Sequence, residues 1–196
     1  MRTTAVCRWA ILILMVMAAA PLVLAQEQFP KGQGERTISS NPSATHPVKG
    51  IDETDKNFMK KAALGDEAEV QLGQLAQQKA SDPAVKSFGQ RMIKDHSNND
   101  DRLKAIAAGQ HISLPIELDP QQKAEAARLS KLSGPQFDKA YMQAMVQEHT
   151  KDVNKFKTEA ASAHDNTIKQ FAAGTLPVLE SHLKEAKQVE QQVAKR

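Results

Sequence analysis

Sulfur, aromatic rings and net charge are scarce in this sequence. One cysteine, one tryptophan and one tyrosine occur in 196 residues, with six phenylalanines. Cys7 and Trp9 fall in an N-terminal stretch that reads as a removable signal. The remaining chain therefore has no disulfide, no thiolate nucleophile and no cysteine-held zinc. So few rings argue against an aromatic-lined sugar or nucleotide cleft. Lys plus Arg is 26 against 23 for Asp plus Glu, and without Arg2 and Arg8 the balance is 24 against 23. A protein that grips phosphates needs a basic excess or patch, so nucleic acid is not an expected partner. There is no glycine-rich phosphate loop, no dinucleotide fingerprint and no Ser-His-Asp order to support catalysis.

The N-terminus reads as an address. Arg2 and Arg8 precede an almost wholly apolar run from Ala10 to Ala20, broken by Pro21. Val23 and Ala25 suit signal peptidase, so residues 1–25 are expected to be a signal peptide cleaved after Ala25. The alternative is a retained anchor, since the apolar run from Trp9 to Ala25 has 17 residues, at the lower limit for a span. No cysteine follows the run, so lipid attachment is not supported. The expected location is the periplasm or beyond, with no transmembrane segment after cleavage. Residues 26–53 read as a flexible linker: Pro30, Gly32, Gly34, Pro42, Pro47 and Gly50 punctuate it and no apolar period runs through it. His46 lies there and carries no role.

From Thr54 onward the pattern is helical, with no alternation of period two. Helix one is expected over Thr54–Ala80. Asp82-Pro83 caps and starts helix two, which Gly109 stops. Asp119-Pro120 opens a short helix to about Leu132. Gly134-Pro135 opens helix three, which ends near His164, and Asp165 or Asn166 caps helix four. Short turns join one to two and three to four. The expected fold is all-α: an antiparallel four-helix bundle with a short extra helix in the connection between helices two and three, spanning residues 54–196.

Apolar residues at steps of three and four mark the seams: Phe58, Ala62, Gly65, Leu72 and Ala76 on helix one; Val85, Phe88, Met92, Leu103 and Ile106 on helix two; Met142, Met145, Val153, Phe156 and Ala160 on helix three; Ile168, Phe171, Thr175, Val178, Ala186 and Val189 on helix four. One polar residue interrupts each seam: Glu69, His96, His149 and His182. Glu69 lies 13 residues before Asp82 and His96 lies 14 after it; His149 lies 16 before Asp165 and His182 lies 17 after it. Within each pair the heights then agree to about 2 Å, so all four side chains can meet near mid-bundle. Buried imidazoles and a carboxylate need partners. Either they form a metal-free network, or they hold one transition-metal ion, with iron, copper and zinc as the candidates. Asp66, Asp100 and Asp152 stand within a turn of these residues and are candidates to orient the histidines. Met92 and Met145 each precede a seam histidine by four residues and are candidate soft ligands, or simply core filler. Pro177, with Gly174, is expected to kink helix four near the site.

These residues carry a resemblance. Asp55-Lys-Asn-Phe58, Ala62-Ala63, Glu69-Val70-x-Leu72-Gly73, Met92-x-x-Asp95-His96, Gly134-x-x-Phe137-Asp138-x-x-Tyr141, His149 and Leu176-Pro177-x-x-x-x-His182 resemble the bacterial family known as Domain of Unknown Function 4142. The resemblance covers about Asp55 to Val189. It implies an exported, ferritin-like four-helix bundle and supplies no established activity. The family's recurring Glu and His positions match Glu69, His96, His149 and His182. Ferritin-like di-iron proteins use Glu-x-x-His on two helices; here Ile93, Val146 and Leu179 stand three residues before the histidines, which argues against a carboxylate-bridged di-iron centre. The expectation is a cell-envelope bundle that binds or buffers a transition metal, with a role under stress. Its rivals are a non-catalytic structural or interaction protein with a metal-free polar core, and a metal oxidase, which needs an open coordination position.

Overall fold

Aspartates placed just before helical stretches decide where the elements begin. The computed structural model describes residues 51–196, within which the helices are α1 (Glu53–Lys79), α2 (Pro83–Gly109), α3 (Pro120–Ser130), α4 (Gly134–Ser162) and α5 (Asn166–Ala194). Asp52, Asp82, Asp119 and Asp165 each accept a backbone N–H from the first turn of the helix they precede, and Asp119 and Gln122 form a reciprocal capping box. Such a side chain satisfies donors that the helix itself leaves unpaired. Pro83, Pro120 and Pro135 sit in first turns, where no N–H is missed. The signal segment 1–25 and nearly all of the linker lie outside the described residues. At the linker's end, Glu53 already belongs to α1, one residue earlier than expected, and Ile51 packs on the core.

Three-residue turns fold α1 against α2 and α4 against α5, and the two hairpins meet through α1 with α4 and α2 with α5. The result is an antiparallel four-helix bundle. Helix α3 lies over α1 and α4, burying Leu129 and donating from Gln122 Nε2 to the Leu64 carbonyl at 3.0 Å. Among the described residues no helix is long and apolar enough to cross a membrane.

The core is layered along the bundle axis. One apolar cluster gathers Leu72, Phe88, Tyr141, Met145, Ala186 and Val189 at the α1–α2 turn end. The other gathers Phe58, Leu103, Phe156, Ile168 and Phe171 at the α4–α5 turn end. The buried residues Asp66, Glu69, His96, Asn99, His149, Asp152, Thr175 and His182 lie along their helices between the two clusters. Most of the expected seam residues are buried, Gly65, Ile106, Val153 and Ala160 are half-buried, and one faces outward. Val178 is 39% exposed, and Leu179 takes the inward place, because the steps from Thr175 to Leu179 to His182 keep the helical period. Pro177 lies inside α5 without ending it.

The two hairpins are related by an 83-residue offset that the seam analysis does not reveal. Asp138 accepts from Ser81 N at 3.1 Å, Ser81 Oγ at 2.5 Å and Asp82 N at 3.0 Å, and so ties the α1–α2 turn to α4. Asp55 accepts from His164 N at 3.1 Å and Asp165 N at 2.7 Å, and so ties the α4–α5 turn to α1. The carboxylates, and the amides they bind, are each 83 positions apart. The same offset relates Phe58 to Tyr141, Met59 to Met142, Val85 to Ile168 and Phe88 to Phe171. Each half thus supplies the clasp for the other's turn.

Asp138→Ala strands the amides of Ser81 and Asp82 at a buried corner. Urea unfolding is expected to show a loss of about 3 kcal/mol, since hydrogen bonds to a charged group contribute about 1.5–3 kcal/mol each before relaxation. Asp138→Asn, which keeps one acceptor, is expected to lose less.

Candidate metal centre

The seam histidines come from three helices and meet. His96 of α2, His149 of α4 and His182 of α5 are all buried, with ring centroids 5.6, 5.4 and 5.3 Å apart. One ring nitrogen of each is committed outward. His96 Nδ1 lies 2.8 Å from Asp66 Oδ1, His149 Nδ1 lies 3.0 Å from the Met145 carbonyl and His182 Nε2 lies 2.9 Å from Asp95 Oδ2. A carbonyl or carboxylate only accepts, so each of these nitrogens is assigned the proton and donates. The other nitrogens, His96 Nε2, His149 Nε2 and His182 Nδ1, are buried and have no hydrogen-bond partner. One ligand nitrogen from each ring lies within 4.8 Å of the others.

This arrangement fits one metal ion. A nitrogen about 2.0 Å from an ion puts its ring centroid about 3.1 Å away, so three rings in a trigonal array stand about 5.4 Å apart. The observed triangle has that size. Partners on the far nitrogens fix ring orientation and tautomer, as around established metal-binding histidines. Asp66 is itself held by Asn99 Nδ2 at 2.8 Å, and Asn99 Oδ1 accepts from Thr175 Oγ1 at 2.9 Å. Asp95 accepts from Arg91 Nε at 3.2 Å, and Arg91 also binds Ser181 Oγ and Glu185.

The electrostatics keep lone pairs available on two of the three rings. Burial, with His96 and His182 nearby, pulls His149 down to about 3. Burial pulls His182 down to about 4, against the hydrogen bond to Asp95. At His96 burial works against the imidazolium, but the Asp66 hydrogen bond and the charges of Glu69, Asp66 and Asp152 outweigh it and hold the pKa above its ordinary value. Burial also raises Asp66, against hydrogen bonds from His96 and Asn99. Two of the three rings are therefore neutral at pH 7 without any metal.

The remaining expected residues fall elsewhere. Glu69 is buried, yet its carboxylate is not part of the converging set: Oε1 stands 3.9 Å from His149 Nδ1, the nitrogen turned toward Met145, and Oε2 has no hydrogen-bond partner. Glu69 faces the α1–α4 side. There it lines a cleft of about 680 Å³ with Asp152, Glu148 and Gln122. Asp66 orients His96 as expected. Asp100 instead pairs with Lys104 at 2.5 Å, and Asp152 with Lys155 at 2.7 Å, so neither holds a ring nitrogen. Met92 and Met145 are fully buried in the apolar cluster, and Met145 meets the site through its carbonyl oxygen. Asp95, Asn99, Thr175 and Arg91 were not singled out for the site. Asp95 was legible only as the neighbour of His96, and a hydroxyl in an apolar seam was the one mark of Thr175. On the opposite side, Arg91, Asp95, His96, Asn99, Arg102 and His182 line a cleft of about 270 Å³ between α2 and α5.

The comparisons agree with this fold. The profile of the DUF4142 domain of unknown function matches residues 40–189. The chain belongs to the DUF4142 family. No curated protein matches it. Among solved structures, this DUF4142 chain is similar to a DUF305 fragment from Deinococcus radiodurans, with TM-score 0.66, 12% identity, and coverage of 73% of this chain and 99% of that one. A DUF305 protein from Streptomyces coelicolor gives TM-score 0.61 at 18% identity, covering 71% and 92%. CopM in its Cu(I)-bound form gives TM-score 0.59 at 15% identity, covering 70% and 96%, and its Ag-bound and Cu(II)-bound forms match similarly. At such identities the likeness concerns the fold.

Burial pushes the Glu69 carboxyl up to about 8, against attraction from His96 and with repulsion from Asp152, Glu148 and Asp66. In the unfolded chain it ionises near 4.5. The folded state therefore binds the extra proton between these values, and the stability tied to Glu69 falls as pH rises from about 4.5 to 8. Glu69→Gln mimics the protonated form. With chelator present, it is expected to match the wild type near pH 4 and to exceed it by up to about 4–5 kcal/mol at pH 8.5 in urea unfolding.

Proposed function

We propose that this protein binds one copper ion in the cell envelope through His96 Nε2, His149 Nε2 and His182 Nδ1. The observation that carries the reading is the convergence of three buried, unpartnered imidazole nitrogens whose opposite nitrogens are all engaged. Left empty, each such acceptor costs about 1–3 kcal/mol. A cation satisfies all three together. Imidazole nitrogens suit copper, zinc and iron. The set contains no anionic ligand, so a monovalent ion buries less uncompensated charge than a divalent one. That favours cuprous copper, and CopM, a protein of similar fold, is described with Cu(I), Cu(II) and silver. Bound metal would supply Lewis acidity or one-electron chemistry. The residues here hold and orient it: Asp66, Asp95 and the Met145 carbonyl aim the rings, and Asn99 and Arg91 steady the two aspartates. No general acid, base or nucleophile is assigned, and the function proposed is binding or buffering.

The untagged protein, expressed with its own N-terminal segment and purified under reducing, oxygen-free conditions, is expected to retain one copper per chain against a competing chelator. His149→Ala is expected to abolish retention, and Asp66→Asn to weaken it about 10–100-fold while leaving all three ligands in place. A folded wild type that keeps no copper would sink the reading, leaving the histidines as a metal-free polar network.

Export is part of the proposal. It rests on the basic start, the apolar run and the Val23-x-Ala25 site. Mass spectrometry of the protein recovered from the periplasmic fraction is expected to give an N-terminus at Gln26. An intact Met1 on membrane-bound protein would instead establish the retained anchor.

A further inference from the structure

A second cluster of metal-binding side chains lies at the far end of the bundle, where the α4–α5 turn meets the start of α1. Asp52 Oδ1 and Asp55 Oδ1 stand 4.0 and 3.6 Å from His164 Nδ1. One ligand atom from each of the three lies within 4.8 Å of the others. Glu159, one turn before the end of α4, adds a further carboxylate. It is 6% exposed, its Oε1 is buried without a hydrogen-bond partner, and burial together with the Asp55 carboxylate pushes its carboxyl up to about 7, against attraction from His164. Asp55 and Glu159 are thus both buried at this end, while Asp52 and His164 form an exposed rim.

The 83-residue offset shows that the fold does not need this chemistry. At the opposite end Asp138 performs the same clasp that Asp55 performs here. The counterparts of Asp52, Glu159 and His164 there are Pro135, Ala76 and Ser81. Proline, alanine and serine suffice for a sound corner. Burying a second carboxylate against Asp55 is costly without a positive partner, and only this end does so.

We propose that Asp52, Asp55, Glu159 and His164 form a second site, for a divalent transition ion of the zinc and manganese class. The donor set is three carboxylates and one imidazole, hard ligands with up to three negative charges, the opposite of the neutral imidazole triad. Ligand atoms about 2.0 Å from a tetrahedral ion stand about 3.3 Å apart, so the observed 3.6 and 4.0 Å need only slight contraction of rim side chains. The two sites would then sort ions by charge and softness within one bundle.

Zinc is the probe. Equilibrium dialysis with elemental analysis would use the full chain, a variant lacking the triad (His96→Ala, His149→Ala, His182→Ala), and that variant with Asp52→Asn and His164→Ala added. The last two changes spare the clasp, because Asp55 binds the backbone N–H of His164, and Asn still offers an oxygen to Thr54 N. The triad variant is expected to keep one zinc per chain, and the added changes to weaken it at least 30-fold. Should the triad variant fail to fold by circular dichroism, wild type with its triad saturated by silver takes its place, compared with Asp52→Asn/His164→Ala treated alike. Glu159→Gln is expected to weaken zinc at least tenfold in either background. No zinc at this end in the folded protein, or zinc undiminished by the rim changes, would overturn the proposal. Neither result bears on copper at the triad, which is read separately.

Discussion

Everything at the centre of this bundle follows from three imidazole lone pairs that face one another away from water. An apolar core would have been simpler, and above and below this level the bundle has one. The level itself holds Asp66, Glu69, His96, Asn99, His149, Thr175 and His182, all buried. One chain of bonds runs from Thr175 through Asn99 and Asp66 to His96. The chain stops at the inward nitrogens. A structural network would be expected to close on itself, because an open acceptor in low dielectric is costly. This one is left open at the inward nitrogens of the three histidines and at Glu69 Oε2.

The frame that holds the three rings is nearly symmetric, and the site is not. Under the 83-residue offset His149 corresponds to Asp66, His182 to Asn99 and His96 to Leu179. A fully symmetric centre would have placed like residues at like positions around the axis. Instead, the first hairpin supplies one ligand and converts the two positions that match the second hairpin's ligands into the pair that orients it. Asn99 Nδ2 donates to Asp66, and Asp66 accepts a hydrogen bond from His96 Nδ1. Duplicated scaffolding thus provides two of the converging histidines on one side and, at the matching positions, the support of the third on the other.

Much of the fold was legible because its signals are local. Aspartate followed by proline marks a helix start whatever lies around it, and the steps of three and four name the buried face. Three of the four interrupting residues, His96, His149 and His182, were placed at one height by counting residues from the turns, and they do converge. What counting could not supply was direction. Glu69 shares the height but points to the α1–α4 side, since height along an axis says nothing about rotation around it. The supporting contacts were harder still. Asp66 was within reach by being one turn from Glu69, whereas Asp95 reaches His182 across 87 residues of chain, a contact fixed only when α2 packs on α5. Asp100 and Asp152 looked equivalent to Asp66 in sequence and instead face lysines one turn along their own helices.

The same repeat separates what the fold requires from what it carries. Asp55 and Asp138 are structural by a strong criterion: two unrelated surroundings keep the same carboxylate on the same two amides. The histidines differ from that clasp, because the matching positions hold Leu179, Asp66 and Asn99. The other half thus fills these buried places with a leucine, a carboxylate and an amide. Retaining three histidines, each with one nitrogen engaged and one bare, instead sacrifices hydrogen bonds for a pocket of lone pairs. A fold that holds other residues at the equivalent positions has no evident packing reason to do this, which supports the proposal that the bare nitrogens bind an ion.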